Sequence, residues 1–127
     1  MIQTERMILD EIRQLFDDLD KATYGDYKAN GHVIPPNASR FYYTTKRLYE
    51  QVDILVKDYN PNYVSPSDYM CIYDSQRIIL LHLDVLKDCK KLNGQELAWE
   101  LEKYLMKLYG IFGCISTYCE KLENKSF

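Results

Sequence analysis

The sequence predicts an all-α fold: a four-helix bundle, running up and down, with one long loop between its first two helices. Three observations carry that expectation. Four stretches repeat apolar residues every three to four positions, proline and glycine punctuate the joints between them, and two of the three joints are short enough to make consecutive helices antiparallel neighbours. The whole chain, residues 1–127, reads as a single domain.

The first helix follows Thr4, a candidate N-cap, and carries Ile8, Ile12, Leu15 and Leu19, with Leu9 and Phe16 widening the stripe. The stretch "YGDYKANGHVIPPNAS" then has glycine, a double proline and no period, so it reads as a loop longer than a bundle needs. The second helix begins near Ser39 and places Phe41, Leu48, Val52, Leu55 and Tyr59 on one side until "NPNYVSP" stops it. Ser65, Pro66 and Asp68 supply an N-cap, a first-turn proline and an acid at the third position, which together start the third helix. That helix extends to Lys90 and Lys91, cations suited to a C-terminal dipole, and "NG" at 93 and 94 ends it. In the fourth, Leu97, Leu101, Tyr104, Leu108, Ile111, Ile115, Tyr118 and Leu122 alternate steps of four and three, the pattern of a bundle seam.

Composition sets bounds on function. A chain of 127 residues, 46% hydrophobic and 28% charged, can bury about two thirds of its unfolded surface without a staple. The longest uncharged run, Leu108 to Cys119, is well short of the ~20 residues that a membrane span needs. Acids in "MIQTERMILDE" argue against an export signal, so a cytoplasmic setting is expected, with no membrane partner. Cys71, Cys89, Cys114 and Cys119 show neither C-x-x-C spacing nor histidines at ligand intervals, so the expectation is buried, reduced thiols and no metal. No cofactor motif appears. The net charge of −3 comes from the first 30 residues, where seven acids face four bases; the other 97 hold twelve of each. That balance excludes a generally basic nucleic-acid binder and leaves room for a local basic patch.

The last helix contains "LYGIFGC", two glycines three apart, each costing a helix roughly 0.5–1 kcal/mol against alanine. Projected at about 100° per residue from Leu97, Gly110 and Gly113 fall at about 220° and 160°, away from the seam. Trp99, Met106 and Thr117 lie on that same side, flanked by Glu102 and Glu120 on one edge and Lys103 and Lys121 on the other. This second uncharged stripe reads as an oligomer interface with Trp99 as its anchor. The third helix supports it, since Cys71, Ile72, Ile78, Ile79, Leu81, His82, Leu83, Val85, Leu86 and Cys89 cover an arc of about 200° at helical spacing.

Reactive constellations are few. Arg77 and His82, in "RIILLH", resemble the arginine, four-residue gap and histidine of HEPN ribonucleases, which are also small all-α domains. The projection separates the two, placing Arg77 on the polar face and His82 within the apolar arc, so His82 reads as a core or interface histidine. Tyr42, Tyr43 and Tyr49 near Lys46 and Arg47 could stack on bases, although helical tyrosines commonly fill cores. Arg40, Lys46 and Arg47 open the second helix, and Lys87, Lys90 and Lys91 close the third. An antiparallel pair would bring these two clusters to one end of the bundle as a nucleic-acid or partner-binding surface.

Two stretches resemble the four-helix-bundle family that includes Avd, the accessory variability determinant of diversity-generating retroelements, and proteins encoded in intervening sequences of ribosomal RNA genes. In "IPPNASRF", Pro36 and Arg40 match that family's proline and, four positions on, arginine. In "YLMKLYGIFGCI", Ile111, Phe112, Gly113, Cys114 and Ile115 take the places of an apolar pair, a glycine, a small residue and a large apolar one; Asp74 resembles a third-helix aspartate. The likeness spans about residues 34–118. Leu81 and Val85 stand where the family tends to carry arginines, and this chain is acidic where Avd is basic. The resemblance implies a non-enzymatic homo-oligomer, a pentamer in Avd, that binds a reverse transcriptase and its template RNA for mutagenic cDNA synthesis. The alternatives are a helical protein-interaction adaptor that binds no nucleic acid and a HEPN-type ribonuclease using Arg77 and His82.

Overall fold

The computed structural model describes residues 5–27, 33–59, 61, 62 and 64–124. Its helices are α1 (Glu5–Tyr24), α2 (Ala38–Lys57), α3 (Pro66–Leu86) and α4 (Gly94–Asn124). Cross-helix pairs fix the direction of each. Glu11 meets Arg47 and Asp18 meets Arg40, so α1 and α2 run oppositely. Asp53 meets Gln76 and Tyr59 stacks on Tyr69, so α2 and α3 do too. Asp68 meets Lys121 and His82 packs on Tyr104, which reverses α4 against α3. Phe16 against Phe112 and Asp20 against Tyr109 close α4 onto α1. The result is the up-and-down four-helix bundle that the periodicity predicts.

The core follows the predicted stripes. Ile8, Leu9, Ile12 and Leu19 of α1, Phe41, Leu48, Val52 and Leu55 of α2, and Ile72, Ile79 and Leu86 of α3 are all essentially inaccessible. From α4 come Leu97, Leu101, Leu108, Ile111, Ile115 and Tyr118, joined by Leu105 and Cys119, while Tyr104 and Leu122 are half-buried at the rim. Leu105 and Cys119 lie on the side of α4 that an even-handed heptad reading assigns to the flank. A ring of four helices gives α4 two neighbours, so its buried arc is wider than a two-stranded seam.

The ends of the helices follow local chemistry. Gly25, at φ +93°, donates its N–H to the Lys21 carbonyl at 2.9 Å and closes α1, a left-handed cap that glycine adopts without strain. Thr4, the expected start, lies outside the described residues. Within the loop, β1 (Asp26–Tyr27) and β2 (Val33–Ile34) pair antiparallel, Asp26 with Ile34 and Tyr27 with Val33, a ladder too short to leave a period in the sequence. The Asn37 side chain caps α2 through the Arg40 N–H at 2.9 Å, and Ser65 caps α3 through the Asp68 N–H at 3.2 Å with Pro66 in the first turn. The α-helical part of α3 stops at Leu86, earlier than expected, and Lys87–Lys91 tighten into a 3₁₀ turn. Gly94, at φ +56°, opens α4 rather than closing α3.

Candidate assembly face and basic surface

The outer side of α4 is open along its length. Trp99 is 60% and Met106 54% exposed, and Gly110, Gly113 and Thr117 also face outward. A Cβ placed on Gly110 or Gly113 would meet no atom within 4 Å, so nothing within the bundle requires glycine at either position. Both flanks are charged as projected. Glu102, on the α1 side, shares a hydrogen bond with Tyr24, and Glu120 is exposed. On the α3 side Lys103 reaches Glu100 at 3.1 Å, and Lys121 donates to both Asp68 carboxylate oxygens at 2.9 and 3.0 Å.

Neighbouring α3 adds apolar surface. Leu81 is 59% and Val85 45% exposed, so part of the wide apolar arc read in the sequence is uncovered. The cysteines correct an expectation. Cys71 and Cys114 are joined in a disulfide that ties α3 to α4, with Cα atoms 6.7 Å apart, and only Cys89 and Cys119 are buried cysteines outside a disulfide. Cys71 is exposed and Cys114 half-buried, whereas both had been expected as reduced core residues. The antiparallel register set by Asp68–Lys121 and His82–Tyr104 is what puts them opposite each other; spacing along the chain carries no trace of it. Beside the disulfide, Asp68, Gly113, Thr117 and Tyr118 line a depression of about 240 Å³.

Several of the basic residues are drawn into ion pairs. Arg40 turns toward α1 and lies 3.7 Å from Asp18; Arg47 donates to Glu11 at 2.6 Å. With Lys46, Tyr43 and Glu50 they border an open groove of about 640 Å³ between α1 and α2 whose charges are mixed. Lys87 sits 3.8 Å from Asp84 at the far end of α3 and Lys91 is exposed on the 3₁₀ turn. The side chain of Lys90 lies outside the described residues. The start of α2 does approach the α3–α4 joint, where Pro36 to Ser39 share a shallow depression with Leu92, Asn93 and Leu97. At that end Arg40 and Arg47 are engaged by the α1 acids Asp18 and Glu11. Tyr43 is exposed with Tyr42 edge-on at 5.4 Å, while Tyr42 and Tyr49 are half-buried.

Arg77 and His82 do not converge. Arg77 is solvent-exposed and 3.8 Å from Asp74. His82 is 7% exposed; its Nδ1 lies 2.8 Å from the Ile78 carbonyl and its ring packs edge-on against Tyr104. A carbonyl only accepts, so Nδ1 carries the proton, and Nε2 is left as a buried acceptor without a partner among the described residues. Burial foremost, with Lys107 nearby, pushes the imidazole below its ordinary value despite the Ile78 hydrogen bond, and so favours the neutral ring.

Among the described residues no group of three His, Cys, Asp or Glu could hold a metal ion, and no helix is long and apolar enough to cross a membrane. Compared with known proteins, the chain matches no family model, no curated protein and no solved structure.

Proposed function

We propose that this chain is a non-catalytic helical accessory protein that works as a homo-oligomer and, like the Avd proteins it resembles, binds a reverse transcriptase and its template RNA to support mutagenic cDNA synthesis. The observation that carries it is the outer face of α4: a tryptophan and a methionine more than half exposed, in line with two glycines that the bundle itself does not need. An exposed aromatic on a face that also carries small residues about 16 Å along the helix is an arrangement in which another helix approaches at the glycines and buries the ring at its end. The four-helix bundle is compatible with the resemblance, and a fold of this kind is shared by many functions, so the surface has to carry the argument.

Sedimentation velocity of the wild type and of Trp99→Lys tests the assembly. An oligomeric wild type and a monomeric variant are expected; a wild type that stays monomeric overturns the reading. Co-purification with a reverse transcriptase encoded beside this gene tests the partner, and a gene neighbourhood with no such enzyme or template repeat defeats it. A second reading, a helical adaptor that binds protein alone, is favoured by the ion pairs of Arg40, Arg47 and Lys87, since a phosphate would have to displace Asp18, Glu11 and Asp84. RNA affinity that falls steeply with salt supports the first reading, and its absence at low salt supports the second.

A further inference from the structure

The disulfide between Cys71 and Cys114 is open to the surface, and the other two cysteines are not. Cys71 is exposed and Cys114 half-buried, whereas Cys89 and Cys119 are 3% and 0% exposed. Beside the bond lies the depression of about 240 Å³ lined by Asp68, Gly113, Thr117 and Tyr118, a volume that about eight waters share in the liquid. Gly113 carries no side chain into it and is itself exposed, so the α4 wall adds little bulk.

Contacts that do not depend on the bond hold α3 and α4 together on both sides of it. One turn toward the start of α3, Asp68 accepts two hydrogen bonds from Lys121; about three turns the other way, His82 packs edge-on against Tyr104. Ile72 and Ile115, the chain neighbours of the two cysteines, are inaccessible and anchor both backbones in the core. Opening the bond therefore leaves Cys71 and Cys114 opposite each other, on helices whose Cα atoms stand 6.7 Å apart when it is closed.

A disulfide opens when a thiolate attacks one of its sulfurs, and access selects which. We propose that this pair is a thiol-exchange site for low-molecular-mass thiols and their disulfides, in which Cys71 carries the mixed disulfide and Cys114 is the resolving thiol. In the forward step R–S⁻ attacks Cys71 Sγ. The bond to Cys114 breaks as the Cys71–S–R bond forms, and Cys114 leaves as a thiolate that takes a proton from solvent. One disulfide replaces another, with no net oxidation. Resolution is the reverse: the Cys114 thiolate attacks Cys71 Sγ and expels R–S⁻. A second R–S⁻ that attacks the R sulfur instead gives R–S–S–R and leaves both cysteines reduced, two electrons having passed from the small thiols to the protein. Cys89 stays outside this chemistry, since burial foremost, with Glu100 and Asp88 nearby, pushes its thiol up. Cys119 is out of reach of solvent.

The test exposes the full folded chain to a buffer of reduced and oxidised glutathione, quenches with acid and maps the adducts by peptide mass. In the wild type, early glutathione is expected on Cys71 about ten times as often as on Cys114, and not on Cys89 or Cys119. Cys114→Ser removes the resolving thiol, so the Cys71 adduct should accumulate toward one per chain, whereas Cys71→Ser should gain its adduct about tenfold more slowly. Equal labelling of Cys71 and Cys114 overturns the assignment of roles. Labelling of Cys89 and Cys119 as fast as Cys71 means that the bond opens only with unfolding, and overturns the site. So does a wild type that, after oxidised glutathione and then unfolding, still titrates four thiols. The wild-type arm decides the outcome even if either variant fails to fold.

Discussion

Gly25 closes α1 in a left-handed conformation, and a Cβ there would lie 2.8 Å from the Ile34 carbonyl oxygen on β2. Gly94 shares the sign of φ and meets no such obstacle. Replacement by alanine should therefore cost roughly 1–2 kcal/mol at Gly94 for the backbone alone and more at Gly25, where the ladder must also yield; urea unfolding of the two variants checks the order. His82 gives stability a sign with pH. Its folded form is held neutral by burial, while in the unfolded chain the ring takes a proton near pH 6.5. Below that value the unfolded state binds more protons, so stability falls as pH drops from about 7 toward the lowered folded value. His82→Phe, which keeps a ring against Tyr104, should flatten that slope between about pH 7 and 5 in urea unfolding at stepped pH. Neither position shows its role in the sequence by itself. Gly25 looks like any loop glycine, and His82 is legible as a buried histidine only because it falls within an apolar arc.

The helices themselves were legible because each carries its own start, stop and period. Ser65-Pro66 begins α3 where local chemistry dictates, and the α4 seam is buried almost as read. What failed to show were features set by neighbours: the ladder in the loop, the 3₁₀ ending of α3, the acids that capture Arg40 and Arg47, and the cysteine pair. The link between Cys71 and Cys114 closes 43 residues of chain, and loop-closure entropy puts its contribution at up to about 4 kcal/mol. Cys71→Ser should lower the urea midpoint by the same amount as a reducing agent does in the wild type, and the reducing agent should not move the variant further. Gly110 and Gly113 make a sharper pair of probes. With space around each, Gly110→Ala and Gly113→Ala should each stabilise the isolated chain by about 0.5–1 kcal/mol through helix propensity. In the assembly the added methyl groups would hold two helices apart. Higher thermal stability in dilute solution, together with weaker self-association by sedimentation, is the expected combination.

The bundle puts the two ends of α4 in different company. Trp99 lies near the end where the α1–α2 loop, Lys87 and Lys91 are gathered, while Thr117 lies near the opposite end, with Asp68 and Lys121. An acidic molecule of net charge −3 repels its own copies, so an apolar contact between copies works against that repulsion. Raising salt screens that repulsion, with a Debye length of about 8 Å near physiological salt. Association that strengthens as salt rises is therefore expected, and sedimentation at stepped ionic strength measures it. The same geometry supplies its own reporter. The chain has a single tryptophan, and it sits on the proposed contact, more than half in water. Its fluorescence should shift to shorter wavelength as protein concentration rises, so that every change in assembly can be followed by light from one indole, without a label.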